Sequence, residues 1–586
     1  MIEFLQLKKN LKKDFGKYKQ IKLSILGDSA TQFLTQAVRG YGYEVGLNIE
    51  IRESDYNQID SQILNPGSEL YQYNPDYTLI YISSHKLLQL YNNTKVEERS
   101  MFVMKQADYI DNLISTLQSN IFSKIIIYNF NEINDYVFGN YSTITESSFI
   151  FQLRRLNMML MENISKRKGC YIGDISSIQN NLGKKTFFST STYINADMLI
   201  SIEALPFVAK CTVDIICAAQ GMLKKCIILD LDNTLWGGII GDDGIEKIQI
   251  GHLGIGKAFT EFQHWIKKLK ERGIIVAICS KNTEEIAKEP FISHPDMVLR
   301  MEDIAVFVAN WNNKADNIRY IQRILNIGFD SMVFLDDNPF ERNIVRANIP
   351  EICVPELPED PSDYLEYLYE LNLFETVSHS AEDGERTKQY QVEAQRVQNR
   401  DKFTNEDDYL ASLEMVSQVA PFNQYNIPRV AQLSLRSNQF NLTTIRYSES
   451  DIEKISQSRE YVPFTFTLDD KYGDNGLIAV VILKTVNTDE LYIETWIMSC
   501  RVLKRGMENF VLNTIMAYAS SHKYKVVTGK YIPTAKNGLV KDHYKELGFV
   551  EKDGLWSLET KNYINRKCYI NQNYYDRCRN YFKGNK

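Results

Sequence analysis

Long apolar runs, paired cysteines and a signal-like N-terminus are all missing from this chain of 586 residues. Residues 204–223, a markedly apolar stretch, are interrupted by Lys210 and Asp214, so no run approaches the roughly 18 residues of a membrane span. The nine cysteines form no Cys-x-x-Cys pair, which is typical of reduced thiols rather than of disulfides or a zinc site. The first 20 residues are rich in lysine and lack a continuous apolar core. We therefore predict a cytoplasmic protein that does not enter a membrane.

An excess of positive charge is missing as well. The chain has 67 Lys and Arg residues against 74 Asp and Glu residues, which gives a net charge of −7. Binding to a nucleic-acid backbone needs concentrated positive surface, so the composition argues against a nucleic-acid partner. The contents of hydrophobic and charged residues, 44% and 24%, are ordinary for folded proteins, and the length predicts several domains.

The order of predicted strands and helices divides the chain into three α/β regions and a linker. The first region is residues 1–215, with strands predicted at 22–26, 77–82 and 124–128. The second is residues 220–375, whose strands, predicted at 225–231, 274–279 and 331–335, each end in polar residues. Residues 376–407 are mostly charged and predict a linking helix. The third region, residues 408–586, has predicted strands at 464–468, 477–483 and 491–498 before a helix starting near 505.

The most informative segment is residues 226–235, with the sequence CIILDLDNTL, in which an apolar strand delivers Asp230, Asp232 and Thr234 to one turn. The apolar residues around Asp230 predict a strand buried on both faces, where an unpaired carboxylate would be costly. A cation is therefore expected beside it. Mg²⁺ is the natural candidate, because it prefers oxygen ligands and fills its remaining positions with water and substrate phosphate.

Polar residues also follow the other two strands of the second region. Ser280 ends one strand, Asp336 and Asp337 end the next, and Lys314 leads a helix between them. Ligands of open parallel sheets lie beyond the carboxyl ends of the strands, so these groups are expected to converge on one site. Taken singly, the two acids also fit a simple turn, and Lys314 also fits a surface lysine.

Taken together, these segments resemble the four motifs of the haloacid dehalogenase (HAD) superfamily, in the same order along the chain. The resemblance implies a parallel-sheet domain in which Asp230 attacks phosphorus and Asp232 acts as general acid and base. It implies that Lys314 neutralises the nucleophile and that Ser280 donates a hydrogen bond to the transferring group. The implied ligands of Mg²⁺ are Asp230, the backbone carbonyl of Asp232, Asp336 and Asp337.

Further segments narrow the resemblance to the FkbH-like branch of that superfamily. They are residues 236–244 (WGGIIGDDG), 279–282 (CSKN), 310–314 (NWNNK) and 334–342 (FLDDNPFER). Members of the branch load a glyceryl unit from 1,3-bisphosphoglycerate onto the phosphopantetheine of an acyl carrier protein. The resemblance thus implies a phosphorylated acyl donor, a carrier-protein partner and phosphopantetheine. A plain HAD phosphatase and a non-catalytic module that binds a carrier protein remain the alternatives.

The spacing between the motifs leaves room for ordinary sheet helices but not for a separate cap domain. The glycines at 237, 238, 241 and 244 predict a short hairpin flap after the nucleophile. A site without a cap stays open, which suits a bulky substrate such as a prosthetic arm carried by another protein.

Cys279 has two interpretations. Acyl transfer needs a nucleophile that attacks carbonyl carbon, and the resemblance implies an enzyme thioester at this thiol. Alternatively, Cys279 is a small hydrophobic residue of a buried strand, and strand alternation points it away from Ser280.

In the first region, residues 25–29 (ILGDS) follow a strand and resemble the first block of SGNH hydrolases, whose nucleophile would be Ser29. That family supplies its base from a later Asp-x-x-His, and no such motif follows. His85 is the only histidine before residue 252, so we predict that this SGNH-like domain serves docking rather than hydrolysis.

The third region resembles GNAT acyltransferases. Residues 499–507 (SCRVLKRGM) lie where that family has a phosphate-binding loop, but Lys504 stands in place of the first glycine. This departure argues against a nucleotide-tailed coenzyme, and Lys504, Arg505 and Gly506 are predicted to hold a single phosphate instead. Tyr544 is either a general acid, as the resemblance implies, or an aromatic residue of the core.

Overall fold

The computed structural model describes residues 2–379, 383–384, 386–400, 403–534, 536–561 and 563–573. The chain divides into two compact units, Met1–Cys217 and Ala218–Lys586. The first unit nearly coincides with the region predicted to end at residue 215. The other two predicted regions and the linker lie together in the second unit, and residues 574–586 of the predicted third domain lie outside the described residues.

The first unit contains a parallel five-stranded sheet with the order β2-β1-β3-β4-β5. Its strands are β1 (Lys19–Gly27), β2 (Leu47–Glu53), β3 (Tyr77–Tyr81), β4 (Lys124–Tyr128) and β5 (Cys170–Gly173). Its helices are α1 (Phe4–Asn10), α2 (Gln32–Glu44), α3 (Ile59–Leu64), α4 (Glu69–Tyr73), α5 (Ser84–Asn92), α6 (Phe102–Asn120), α7 (Phe149–Ser165), α8 (Ile175–Leu182), α9 (Lys184–Phe187), α10 (Thr190–Ala196) and α11 (Leu205–Ala219).

The strands and helices of this unit form where their apolar periodicity predicts them. Every residue of β3 is buried, as expected for an inner parallel strand covered on both faces. Helix α6 buries Val103, Ile110, Ile114 and Leu117 along one face, with the spacing of an amphipathic helix. The α/β class predicted for this region is therefore found, and its resemblance to SGNH hydrolases stays a prediction.

The second unit begins with a parallel four-stranded sheet, the central sheet, with the order β8-β7-β6-β9. Its strands are β6 (Cys226–Leu229), β7 (Ile275–Ser280), β8 (Val306–Ala309) and β9 (Met332–Leu335). Its helices are α12 (Ile240–Asp243), α13 (Gly254–Glu271), α14 (Glu284–Ser293), α15 (Lys314–Leu325), α16 (Pro339–Asn348) and α17 (Tyr364–Leu371). The chain runs outward from β6 through β7 to β8 and then crosses to β9, so the topological switch point lies between β6 and β9.

The segment after Asp232 is not the β-hairpin that its glycines predict. Gly237 pairs with Gln249 through two backbone hydrogen bonds of 3.0 and 2.8 Å, but the residues between them include the single helical turn α12. The Asp243 carboxylate accepts a hydrogen bond from the Ile239 amide at 2.8 Å, which stabilises that turn. The segment between the two paired residues thus contains a helical turn in place of the predicted hairpin.

The rest of the second unit forms a mixed eight-stranded sheet with the order β15-β16-β14-β13-β12-β11-β10-β17. Its strands are β10 (Met415–Ala420), β11 (Tyr461–Asp470), β12 (Gly473–Thr485), β13 (Glu490–Met498), β14 (Val526–Gly529), β15 (Val550–Lys552), β16 (Leu555–Glu559) and β17 (Ile570–Asn573). The helices are α18 (Arg386–Arg400), α19 (Glu406–Ser412), α20 (Ile427–Arg436), α21 (Glu449–Gln457), α22 (Met507–Ser521) and α23 (His543–Glu546). In the two units together, short 3-10 helices span Val96–Met101, Gly139–Ile144, Met301–Asp303, Phe329–Ser331, Pro361–Asp363, Cys500–Val502 and Gly538–Val540.

Helix α18 provides the linking helix predicted from the charged sequence after residue 376. Gln391 donates a hydrogen bond to the carbonyl of Ile304, just before β8 of the central sheet, and Arg396 forms an ion pair with Asp470 of β11. The linker is thus packed between the two sheets of its unit. Within the described part of the chain, no helix combines the length and the apolar character that crossing a membrane requires.

Candidate active site

The groups that the motifs predict to converge meet at the carboxyl edge of the central sheet. The Lys314 ammonium lies 2.8 Å from Asp230 Oδ2 and 2.6 Å from Asp336 Oδ2. Each of the three side chains is at most 10% exposed. Asp230 follows β6 and Asp336 follows β9, so the two carboxylates face each other across the switch point. A lysine in the first turn of a helix opposes the helix dipole, and the two carboxylates explain its place there.

The carboxylates of Asp230, Asp336 and Asp337 fit a divalent metal ion. One oxygen atom from each lies within 4.8 Å of the others. Asp230 Oδ1 is buried and has no hydrogen-bond partner among the described residues, as expected of an atom reserved for a ligand. Three hard oxygen donors suit Mg²⁺. The Asp232 carboxylate is not one of this group, and the predicted role of its backbone carbonyl as a ligand stays a prediction.

The loop after β6 fixes the Asp232 carboxylate. Its Oδ1 accepts hydrogen bonds from the Trp236 indole at 2.9 Å and from the Ile240 amide at 3.0 Å, and Oδ2 accepts one from the Asn282 amide at 3.1 Å. Burial raises the pKa of Asp232, and the negative charge of Asp230 raises it further. A carboxyl group in this position holds a proton more readily than a solvated one, as a general acid requires.

The turn Asp336–Asn338 is braced from the helix that follows it. The Arg342 guanidinium donates hydrogen bonds to the carbonyls of Asp336 at 2.8 Å and Asp337 at 2.6 Å, and the Asp337 amide donates one to Thr234 Oγ1 at 3.1 Å. Burial raises the pKa of Asp336 to about 7; the charge of Asp230 also raises it, and that of Lys314 opposes the shift.

Three supporting residues received no role in the sequence interpretation, although they stand in the quoted segments: Trp236, Asn282 and Arg342. Arg342 is 4% exposed, and an arginine about one turn after two acids is the sequence signal that could have identified it. Ser280 is where it was predicted, buried at the end of β7, and its carbonyl accepts a hydrogen bond from the Asn310 amide at 3.2 Å. Its role toward a phosphoryl group stays a prediction.

Cys279 does not lie where an acyl-carrying thiol needs to be. The side chain is fully buried among apolar residues of the opposite sheet face, including Ile228, Ile318 and Phe334, and its sulfur lies 3.7 Å from the Lys314 carbonyl. Burial raises the pKa of the thiol, which disfavours the reactive thiolate. We therefore correct the interpretation of Cys279 as a nucleophile in favour of its alternative, because strand alternation turns it away from the site.

The predicted phosphate loop of the third region is largely committed to internal contacts. Arg505 is 4% exposed and forms ion pairs with Glu393 of α18 and, at 3.2 Å, with Asp470 of β11. Lys504 and Gly506 have φ angles of +62° and +78°, and Gly506 caps α22. Since the Arg505 guanidinium already has two carboxylate partners, its predicted role in holding a phosphate is corrected. Lys504 lines a cavity of about 750 Å³ and stays a candidate.

Residues 440–442 lie between β13 and the segment after β14 and form backbone hydrogen bonds to both. The Leu442 amide donates to the Trp496 carbonyl at 3.3 Å, the Met498 amide to the Phe440 carbonyl at 3.1 Å, and the Ile532 amide to the Leu442 carbonyl at 2.8 Å. Tyr544 is 2% exposed and packs in the core, as its second interpretation proposes.

In the first unit, Ser29 lies at the switch point between β1 and β3. It is 4% exposed, so its hydroxyl is closed to a substrate. The His85 ring stacks on Phe188 and lies against Tyr193, with centroid separations of 4.8 Å in both cases. This arrangement agrees with the absence of a hydrolytic motif in the sequence.

Comparisons with known proteins add the following findings. A family model described as the FkbH N-terminal domain matches residues 22–217. The crystal structure of the N-terminal part of the protein BF1531 from Bacteroides fragilis, which contains a phosphatase domain complexed with Mg, is 52% identical to this chain. The match covers 64% of this chain and 99% of that one, with a TM-score of 0.62.

More distant structural matches are acetyltransferases. The ribosomal-protein-S18-alanine N-acetyltransferase of Escherichia coli is 15% identical over 25% of this chain and 99% of its own, with a TM-score of 0.20. The spermidine N-acetyltransferase of Vibrio cholerae, in complex with CoA and spermine, is 14% identical over 25% of this chain and 98% of its own, with a TM-score of 0.21. Such likenesses support no statement about activity or ligand. No curated protein matches the chain.

Proposed function

This chain belongs to the FkbH-like family, and from that membership we propose that it is a Mg²⁺-dependent enzyme that couples phosphate removal to acyl transfer. The substrate is a small phosphorylated acyl donor, 1,3-bisphosphoglycerate being the expected one. The acceptor is the phosphopantetheine thiol of an acyl carrier protein. The phosphatase part of the proposal is supported by the Mg-complexed phosphatase domain of the Bacteroides relative, and the transferase part by the family resemblance.

The observation that carries the proposal is the position of Lys314 between Asp230 and Asp336. A carboxylate attacks a phosphate only when their mutual repulsion is cancelled, and Lys314 supplies one positive charge at hydrogen-bond distance from Asp230. Asp230 keeps Oδ1 without a hydrogen-bond partner among the described residues, so an oxygen is left for attack or for a metal. Asp230 then bonds to the phosphorus of the donor's ester phosphate as the bond to the leaving alcohol oxygen breaks, and the acyl phosphate stays in place for the thiol.

Mg²⁺ would be held by Asp230, Asp336, Asp337 and the Asp232 carbonyl, where it supplies charge that offsets the phosphate and the carboxylates. Asp232 carries the proton chemistry. Held by Trp236 and Asn282, and with its pKa raised by burial, its carboxyl group donates a proton to the leaving oxygen. The resulting carboxylate then accepts a proton from the water that hydrolyses the aspartyl phosphate.

The acyl transfer follows from the chemistry of the donor. In an acyl phosphate, the carrier thiol attacks the carbonyl carbon, the carbon–sulfur bond forms, and the carbon–oxygen bond to phosphate breaks. The phosphate leaves with the bonding electrons, and the thiol proton passes to solvent. Because Cys279 is buried, we propose that the carrier thiol attacks directly rather than through an enzyme thioester.

Exposed apolar side chains in the segments around the site support a carrier protein as the partner. Trp311 is 73% exposed and stands three residues before Lys314, and Phe340 is 66% exposed in the first turn of α16. Ile239 is 47% exposed and precedes α12. Exposed aromatic residues beside a functional site are typical of protein–protein contact surfaces.

The test is incubation of the chain with 1,3-bisphosphoglycerate, Mg²⁺ and a phosphopantetheine-bearing carrier protein from the same genome. We expect phosphate release and a glyceryl mass added to the carrier, and we expect Cys279→Ala to load the carrier as well as the parent chain does. Phosphate release without added mass would favour the plain phosphatase. Carrier binding without turnover would favour the assembly module.

A further inference from the structure

A second cavity of the second unit lies at the opposite end of the central sheet from Asp230. Its volume is about 390 Å³, and it is enclosed between the central sheet and the eight-stranded sheet. Lys225, directly before β6, and the segment Phe329–Ser331, directly before β9, form one wall. Residues from α18, from α20 and from the turn after β13 form the others. The nucleophile and this cavity are thus separated by the five residue steps from Lys225 to Asp230, about 16 Å in an extended strand.

The lining of this cavity is strongly cationic. Among the described lining residues, two carry carboxylates, Asp330 and Glu351. Six positively charged side chains line it: Lys225, Arg386, Arg429, Arg436, Arg501 and Lys536. The excess is local, because the chain as a whole has a net charge of −7.

Among the described residues, the hydrogen bonds of Lys225 and Arg501 go to neutral acceptors. The Lys225 ammonium donates to the backbone carbonyl of Arg436, which is a neutral acceptor. Arg501 is 7% exposed and donates to the side chain of Gln389 and, at 3.3 Å, to the carbonyl of Asn475.

One buried carboxylate behind the wall, Asp383, is shared by Arg386 and Arg436. Lys536 forms an ion pair with Asp330. Among the described residues, Arg386 and Arg436 thus share a single carboxylate.

The pKa shifts of two lining residues, Lys225 and Arg436, agree with a concentration of positive charge around the cavity. Burial lowers the pKa of Lys225 to about 8, and the charges of Arg386 and Arg436 lower it further. Burial also lowers the pKa of Arg436, and Arg386 adds to that effect. Like charges held together in a buried place destabilise each other, and an anion placed among them would relieve the repulsion.

We propose that this cavity binds a small phosphate-bearing molecule as a second ligand site, separate from the catalytic edge. Its volume lies within the range of small-molecule sites, and guanidinium groups are suited to bidentate contacts with phosphate oxygens. Arg436, Arg501 and Lys225 approach the cavity from three different elements, so a bound phosphate bridges the central sheet to the eight-stranded sheet. Such a ligand stabilises the packing of the two sheets.

The experiment is isothermal titration of the full chain with inorganic pyrophosphate in the presence of EDTA. Without a metal ion, the carboxylates of Asp230, Asp336 and Asp337 repel the probe, so binding at the catalytic edge is suppressed and the variants of the lining residues assign the remaining binding to this cavity. The cavity variants are Lys225→Gln and Arg501→Gln. The matched control is Lys224→Gln. This variant also removes one positive charge, but the Lys224 side chain does not line the cavity although it is adjacent to Lys225 in sequence.

We expect the parent chain and the control to bind with equal affinity within a factor of two. Each cavity variant is expected to bind at least tenfold more weakly and to keep the parent phosphatase rate on p-nitrophenyl phosphate. If Arg501→Gln does not fold by circular dichroism, Lys536→Gln replaces it. Absence of binding to the parent chain, equal binding by the cavity variants, or loss of binding in Lys314→Ala alone would each overturn the proposal.

Discussion

Two parallel sheets of this protein place an acidic turn at a topological switch point, and only one of those turns is equipped for chemistry. In the central sheet, Asp230 and Asp336 face each other with Lys314 between them. In the first sheet, Asp28 follows β1, accepts a hydrogen bond from the Ser83 amide at 2.9 Å, and leaves Oδ1 without a hydrogen-bond partner among the described residues. Parallel topology creates a crevice in both places, but a cation decides whether the crevice can take a phosphate.

The difference also appears in the energetics of the two acids. Burial raises the pKa of Asp28 to about 6, and no ion pair of Asp28 is found in the part of the chain that the structure describes. The charge on Asp230 is stabilised by Lys314, and the same lysine opposes the rise in the pKa of Asp336. The central site places a lysine in contact with two of its carboxylates, whereas burial raises the pKa of the carboxyl group in the first turn to about 6.

The largest expected effect comes from Asp230→Asn, which removes the proposed nucleophile. We expect Mg²⁺-dependent phosphate release to fall by about 10³-fold or more, since an amide cannot form the aspartyl phosphate. The measurement is phosphate release under saturating substrate. Asp242→Asn, an exposed acid of the nearby loop, is the matched control and should keep the parent rate. A variant of Asp230 that keeps a tenth of the activity would remove the contrast between the two turns.

Lys314→Met would make the central turn resemble the first one. We expect phosphate release to fall by about 10²-fold and the free energy of unfolding of the second unit to fall by about 3–5 kcal/mol, because two buried carboxylates lose their cation. Thermal unfolding with and without Mg²⁺ measures this, and added Mg²⁺ should restore part of the stability. Lys288→Met, a partly exposed lysine of α14, is the control. An unchanged melting temperature without Mg²⁺ would contradict the proposed charge balance.

Asp28→Asn tests the turn after β1 through the pH dependence of the free energy of unfolding. The folded-state pKa of Asp28, about 6, is above the ordinary aspartate value of 3.8, so its stabilising contribution is complete below pH 3.8 and is lost as the pH rises through 6. We expect the variant to gain up to about 3 kcal/mol at pH 7 and nothing near pH 4.

Thermal unfolding of the chain across that pH range measures the effect, and Asp14→Asn, an exposed acid of the same unit, is the control. A gain that does not depend on pH would contradict the assignment.

The smallest expected effect concerns access to the central site. Trp311→Ala should raise the KM for the carrier protein about fivefold and leave the KM for the small phosphorylated donor unchanged, since an exposed aromatic residue contributes to contact with the protein partner. The measurement is steady-state carrier loading. Tyr425→Ala, which removes an aromatic side chain that is 85% exposed in another domain, is the control. Equal changes in both constants would place Trp311 in the chemistry rather than in docking.

Much of the architecture could be predicted from local patterns. β4 matches the predicted strand residue for residue, and β7 and β9 lie within one residue of theirs, because apolar runs bounded by polar turns define buried parallel strands. The hairpin predicted for residues 237–249 was wrong, because the segment contains a helical turn in which the Asp243 carboxylate accepts a hydrogen bond from the Ile239 amide. The commitment of Arg505 to Glu393 and Asp470 was not predictable, because its partners are 112 and 35 residues away.

The sequence by itself determined which chemical groups are available: two carboxylates after one strand, two after another, and a lysine at the start of a helix. Motif order was enough to indicate phosphoryl transfer, because each group has a local signature. Only the tertiary structure decided which groups are accessible and charged. It turned Cys279 into the core, enclosed Ser29, and gathered six cations from distant segments around one cavity. Burial and charge pairing depend on contacts between residues far apart in the chain, and a local pattern does not encode them.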